Sequence, residues 1–260
     1  MNVFLLTDLE GIAGVDDIEY MDRAGEKYAR ARGYLTHTIN LAAETCFACG
    51  AETVSFLDGH GGGGNILADE IDPRARRCNI AEWQALLREG RIDCQIELGS
   101  HARAGTLNGF LDHTVSSRQW FCHKVNGREM SELSLHALLC GRYGVPIAGC
   151  IGDKTACAQA AEYIPGIRTG AVKAASCRNL AQTYPDADAI LVRTVREALK
   201  AFPEIPLFEI PGPLMVELTY YRTDMCDEAF ARAAPGTVRA DARTLRRTLE
   251  RLERYEDLRF

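Results

Sequence analysis

The chain has 260 residues, 47% of them apolar and 25% charged, with a formal net charge of −6. That length is ample for one large domain or two small ones, and the composition excludes disordered and collagen-like classes. The acidic balance, without a long basic stretch, argues against a broad nucleic-acid footprint, and no segment approaches the roughly 20 apolar residues of a membrane span.

The first expected element is a short buried strand over residues 2–7, running straight from the N-terminus with no basic region or cleavage site of a secretory leader. The expected location is therefore the cytoplasm, with no membrane partner. Asp8 and Glu10 end this strand, and Gly11, Ala13 and Gly14 open a loop of small residues. A helical pattern spans about 25–49, with Leu35, Ile39, Leu41, Ala42 and Phe47 on or near one stripe and Gly50 placed as its C-terminal cap.

The second strand, 53–57, leads into Asp58-Gly-His60 and four glycines, Gly61 to Gly64. That run lacks the Lys-Ser/Thr of a phosphate loop, so its expected role is permissive backbone beside a crowded site. Asp58 reads either as an orienting partner of the His60 imidazole or as a turn residue. A third strand over 92–98 ends at Gly99-Ser-His101, and His113 follows after a loop. Twelve residues separate the two histidines, which is not the H-E-x-x-H spacing of a helical zinc protease. Arg103 between them is a surface charge or a clamp for a substrate carboxylate.

A strand over 117–125 is turned by Asn126-Gly127, a strong hairpin signal. Helices are expected over 129–142, 153–163 and 185–202, and strands over 145–151, 167–172 and 214–220. Within the first of these helices, Ser131 is a natural N-cap and Glu132 sits in the first turn. A final helix over 242–258 would place Leu245, Leu249, Leu252 and Tyr255 on one stripe. Strands alternate with helices up to about residue 172. The expected fold is α/β, a mostly parallel sheet flanked by helices (residues 1–175), with a smaller mixed α+β portion (176–260).

The ten cysteines read as free thiols in a leaderless chain, and Cys46-x-x-Cys49 falls in a helical pattern, away from the strand-to-helix turn of a redox motif. His37, His123 and His136 carry no supporting neighbours and read as core or surface residues. Asp8, Glu10, His60, His101, His113 and Glu132 remain. Four of the six lie where a strand stops, and in an open α/β sheet the carboxyl ends of the strands form the crevice where ligands collect. Carboxylates and imidazoles converging there are the donor types of a site with more than one metal ion, and such a site points to a hydrolase.

Several segments together make the chain resemble the DppA-type zinc-dependent D-aminopeptidases. They are Thr7-Asp-Leu-Glu-Gly-Ile-Ala-Gly14, Asp58-Gly-His60, His101-Ala-Arg-Ala-Gly105, Gly109-Phe-Leu-Asp-His113, Val125-Asn-Gly127 with Ser131-Glu132, and Gly152-Asp153 with Ala171-Val-Lys173. The resemblance covers roughly residues 1–175. It implies two zinc ions per subunit bridged by Asp8, with Glu10 and His101 completing one ion's ligands and His60 and Glu132 the other's. His113 falls on the family's catalytic histidine, as base, oxyanion stabiliser or nucleophile. It further implies a ring-shaped homo-oligomer hydrolysing short peptides with an N-terminal D-amino acid, such as D-Ala-D-Ala, through a metal-activated water. Lys173 and Asp153 become supporting or substrate-contacting residues. The sequence leaves open an L-aminopeptidase or small-molecule amidase on the same scaffold, a two-metal phosphoesterase, and a metal-binding module without activity.

Overall fold

The computed structural model describes all 260 residues. In chain order its elements are β1 (Asn2–Thr7), α1 (Glu26–Ala48), β2 (Thr53–Asp58), β3 (Ala75–Cys78), α2 (Ile80–Arg88) and β4 (Cys94–Ser100). Then come β5 (Trp120–Val125), β6 (Arg128–Glu129), α3 (Glu132–Arg142), β7 (Ile147–Asp153), α4 (Lys154–Tyr163), β8 (Arg168–Cys177) and β9 (Leu180–Thr183). The remainder is α5 (Ala187–Ala201), β10 (Leu214–Tyr220), α6 (Thr223–Arg232), β11 (Val238–Arg239) and β12 (Thr244–Leu249), closed by a 3-10 turn at Tyr255–Leu258.

Seven strands form the main sheet in the order β3-β2-β1-β4-β7-β8-β9, parallel except for the β8–β9 hairpin. The expected mostly parallel α/β core is the one observed. β1 and β4 are buried almost throughout, as strands covered by helices on both faces must be. Side-chain size sets how closely the helices approach. A Cβ on Gly170 of β8 would lie 2.4 Å from Thr194 Oγ1 of α5, so glycine lets that helix lie against the sheet. α2 is held by Trp83, whose ring packs against Phe4 of β1 and whose Nε1 donates to Gln95 Oε1 of β4 at 2.8 Å. No helix is long and apolar enough to cross a membrane.

A second, antiparallel sheet runs β11-β12-β10-β5-β6 and carries its own small apolar cluster around Trp120, Leu218, Tyr220 and Leu245. It joins β5 and β6 to strands from the last fifth of the chain. The boundary expected at residue 175 falls inside β8.

The expected helix over 242–258 is a correction. Residues 244–249 are β12, paired in register with β10, with Arg246 reaching Glu217 at 2.7 Å across the ladder. Leu245 and Leu249 share a helical stripe, yet non-local pairing decides their conformation. The sequence reading also passed over β3, α2 and α6. Other boundaries shift by a few residues: β5 starts at Trp120 and α3 at Glu132, while β8 runs on to Cys177.

Candidate metal centre

The strand order reverses between β1 and β4: from β1 the chain builds outward through β2 and β3, then returns to β4 and builds outward through β7 and β8. Such a switch point opens a crevice at the carboxyl ends of the strands. Asp8 and Glu10 follow β1 there, His60 follows β2, His101 follows β4, and Glu132 opens α3. All six residues singled out from sequence line one cleft of about 1170 Å³.

Each is positioned by local structure. The ends of β1 and β4 are stitched by Asp8 N to Leu98 O and Gly11 N to Gly99 O, both 2.8 Å. Glycine is required at Gly99, where φ is +77° and a Cβ would sit 2.1 Å from Asp8 O. Ser131 caps α3 by accepting from Ser134 N, and Glu132 Oε1 accepts the Val115 N–H at 2.8 Å. Val115 has φ +62°, an uncommon conformation for a β-branched residue, and it aims this amide at Glu132.

The side chains fall into two groups that meet at Asp8. His60 Nδ1 lies 3.2 Å from Asp8 Oδ1 and 2.8 Å from Glu10 Oε2. His101 Nε2 lies 3.2 Å from both Asp8 Oδ2 and Glu132 Oε1. His113 Nε2 is 3.5 Å from Glu132 Oε1 and 3.9 Å from Glu10 Oε1. Its ring stacks on that of His101, with centroids 4.1 Å apart and planes at 6°. Backbone carbonyls orient both rings: His101 Nδ1 meets Ala102 O at 3.0 Å and His113 Nδ1 meets Leu111 O at 2.8 Å. The grouping implied by the resemblance, Glu10 with His101 and His60 with Glu132, is not the one these side chains make. Glu10 stands with His60, and Glu132 with His101.

Opposite charges, rather than burial, set the balance of the cluster. Burial alone would favour neutral forms, but Glu10 and Asp8 outweigh it and hold His60 up to about 11. His101 is likewise raised, against burial, by Glu132 and Asp8. On the acidic side burial is overcome by His101 and His60 at Asp8, held low, and by His101 and His113 at Glu132, lowered to about 2. Asp8 and Glu132 are thus held in their charged forms by the histidines beside them. His101 Nε2 is nonetheless buried with no group meeting it in hydrogen-bonding geometry. Two sets of three donors, Asp8/Glu10/His60 and His101/His113/Glu132, each lie within 4.8 Å, close enough to converge on one cation. Mixed imidazole and carboxylate donors suit zinc better than magnesium or calcium. The residues fit the implied metal.

The remaining sequence readings divide. Asp58 does not touch the His60 ring: it accepts from Asn65 N and Nδ2, both at 2.8 Å, and Asn65 Nδ2 also reaches His60 O at 2.6 Å, fixing the loop rather than the imidazole. The four glycines after His60 all have φ between +53° and +87°, in keeping with the expected permissive backbone. Arg103 pairs with Glu129 at 3.3 Å and lies outside the cleft, so the surface reading stands. Lys173 and Asp153 are fully buried beneath the site. Lys173 donates to Val15 O and lies 4.3 Å from the Phe110 ring centroid, so it supports the loop that carries Glu10. Cys46 is buried and Cys49 exposed, both as free thiols.

Sequence reasoning missed His136, Glu97, Trp83 and Tyr255, all of which line the cleft. His136 was legible in one respect, since it follows Glu132 by four residues on the same face of α3. Glu97 precedes His101 by four residues on β4.

This fold and this cluster define a hydrolase of the metal-dependent kind, and comparison with known proteins places it more closely. The chain belongs to the D-aminopeptidase family, peptidase family M55, whose model matches residues 1–257. It is similar to a D-aminopeptidase of Bacillus subtilis (strain 168), with 30% identity over 203 residues, covering 76% of this chain and 73% of that one. Its fold matches, with TM-score 0.90 at 22% identity, that of the "Zn-dependent D-aminopeptidase DppA from Bacillus subtilis, a self-compartmentalizing protease", over 99% of this chain and 95% of the other.

Proposed function

We propose that the chain is a dizinc aminopeptidase that removes N-terminal D-residues from short peptides such as D-Ala-D-Ala. The observation that carries this reading is the division of the cluster at Asp8: one carboxylate oxygen meets His60, which also meets Glu10, and the other meets His101, which also meets Glu132. One zinc would be held by Asp8, Glu10 and His60, the second by Asp8, His101 and Glu132. Three protein ligands per ion leave positions open for water and substrate, as a catalytic rather than structural site requires.

When bound, the ions supply Lewis-acid polarisation of the scissile carbonyl and acidify water at neutral pH. The protein's own groups do the rest. Val115 N–H holds Glu132 in place, and the Ala102 carbonyl turns His101 Nε2 toward Asp8 and Glu132. His113, with Nδ1 committed to Leu111 O and its ring stacked on His101, presents Nε2 to the centre of the cluster. From there it takes the proton of the attacking water and returns it to the leaving amine. A nucleophilic role is not needed for this chemistry.

The relative described as self-compartmentalizing supports assembly of this chain into a closed homo-oligomer, a ring in the simplest case. Ten unpaired thiols, most of them buried, support work in the reducing cytoplasm.

The test is hydrolysis of D-Ala-D-Ala beside L-Ala-L-Ala by zinc-loaded protein, with a chelator-treated control. Cleavage of the D-peptide alone, abolished by chelation, is expected. Chelator-sensitive cleavage of the L-peptide alone would keep the site and overturn the stereochemistry. Turnover that survives chelation would overturn the metal.

A further inference from the structure

The cleft continues past the metal-ligand cluster along the face of the sheet. Leu57 of β2, Leu6 of β1 and Glu97 of β4 lie in one row across the strands, and all three line it. Trp83 of α2, His136 of α3 and Tyr255 of the C-terminal turn wall this inner part, with ring centroids 5.2–6.1 Å apart. The C-terminal turn is docked there because Tyr255 N donates to Gln84 Oε1 at 3.0 Å and His123 Nε2 bonds Leu258 O at 2.7 Å.

The polar groups of the cleft are of two kinds. Its acids outside the metal-ligand set are already satisfied. Asp58 is bonded by Asn65, and Glu82 by Arg76 and the Asn79 amide. Glu97 accepts from Gln95 Nε2 at 2.7 Å and holds His136 Nδ1 at 3.3 Å from each of its oxygens. The groups with open valence are donors. His136 Nε2 and the Tyr255 hydroxyl bond no protein group, and both residues line the cleft. His136 Nδ1 is turned to Glu97, so a ring that carries both protons presents Nε2 to the cleft as a second donor; burial disfavours that form, while Glu97, with Glu132 and Asp8, favours it. Arg77, Arg118 and Arg259 also line the cleft, and none of them pairs with a carboxylate. Unlike the satisfied acids, these groups are free to donate to a ligand that enters the cleft.

We propose that His136 Nε2 and Tyr255 OH form the subsite for the free C-terminal carboxylate of the substrate, selecting short peptides with an ionised terminus over their amides. The proposal rests on the aminopeptidase reading above and adds which end of the peptide is recognised, and by what. Glu132 and His136 are one helical turn apart, about 6 Å along the axis. That is the reach of one or two residues of extended peptide beyond the scissile bond, at roughly 3.5 Å each. The subsite therefore limits the enzyme to di- and tripeptides. Trp83, Leu6 and Leu57 line it with apolar surface, and hydrogen bonds to the carboxylate gain strength beside such surface.

The experiment compares kcat/KM of the zinc-loaded enzyme on D-Ala-D-Ala and on its C-terminal amide, for wild type, Tyr255→Phe and His136→Gln. Tyr255→Phe removes only the hydroxyl, and His136→Gln keeps a donor toward Glu97. Wild type should favour the acid by about tenfold to a hundredfold, the range for hydrogen bonds to a charged group. Each variant should lower that ratio severalfold, chiefly through KM for the acid. Calorimetric binding of both peptides to metal-stripped protein should show the same order without turnover. Equal hydrolysis of acid and amide by wild type, or an unchanged ratio in both variants, overturns the subsite and leaves the aminopeptidase reading intact. Hydrolysis of neither peptide removes that reading, and this inference with it.

Discussion

Gly99→Ala tests how tightly the fold is coupled to the site. Gly99 has φ +77°, and a Cβ there would lie 2.1 Å from Asp8 O, 2.9 Å from Asp8 C and 2.8 Å from Ile12 Cγ2. The left-handed conformation alone costs a non-glycine residue about 1–2 kcal/mol. Relieving the contact with Asp8 O means opening it from 2.1 Å to an ordinary 3.4 Å or more, a backbone shift of over 1 Å, and overpacking of this kind costs about 1–3 kcal/mol. The sum is roughly 2–5 kcal/mol. Gly90→Ala is the control, because φ there is +63° with nothing within 4 Å of the added Cβ. It should lose only the conformational part, about 1–2 kcal/mol. Urea unfolding measures both. Because zinc–oxygen bonds are about 2.0–2.2 Å long, moving Asp8 by over 1 Å should also release metal, measured by atomic absorption after dialysis. Equal losses for the two variants, or full metal retention by Gly99→Ala, would refute the coupling.

His123 is buried, and burial lowers its pKa from 6.5 to about 4. The native state excludes a proton that the unfolded chain binds, so the stabilisation is complete above pH 6.5 and is lost as pH falls through about 4. Over that window wild type should lose about 3 kcal/mol more than His123→Gln, read from denaturant midpoints, whereas parallel pH profiles would count against it. His113→Ala should retain zinc yet lose about 10²–10⁴ in kcat, the range for a positioned acid–base group. Loss of metal in that variant would make His113 a ligand rather than a proton carrier.

The parts of the site legible in sequence were those set by local rules. A buried apolar run followed by an acid or histidine marks a strand end, and parallel strands bring their carboxyl ends together whatever lies between them. That places Asp8, Glu10, His60 and His101 at strand ends, where the structure brings them into one cleft. Glu132 was visible only as a helix-cap companion, and its approach to His101 depends on the strained amide at Val115. What escaped was non-local. The stripe of Leu245, Leu249 and Leu252 reads as a helix until β10 is present to pair with residues 244–249. Tyr255 reaches the cleft only because the C-terminal turn docks on Gln84 and His123. Beyond its spacing from Glu132, His136 gave no sign that it lines the cleft, since the Glu97 it meets lies on β4, 39 residues away. The pairing of side chains around Asp8 was equally beyond spacing arguments, because it depends on which way each ring turns.

The central claim is two metal ions sharing Asp8, and calorimetric titration of metal-free protein with zinc tests it most directly. Wild type should bind two zinc ions per subunit and Asp8→Ala neither with appreciable affinity, since each ion loses a ligand with that one carboxylate. A stoichiometry of one in wild type, or Asp8→Ala still binding two, would contradict the account.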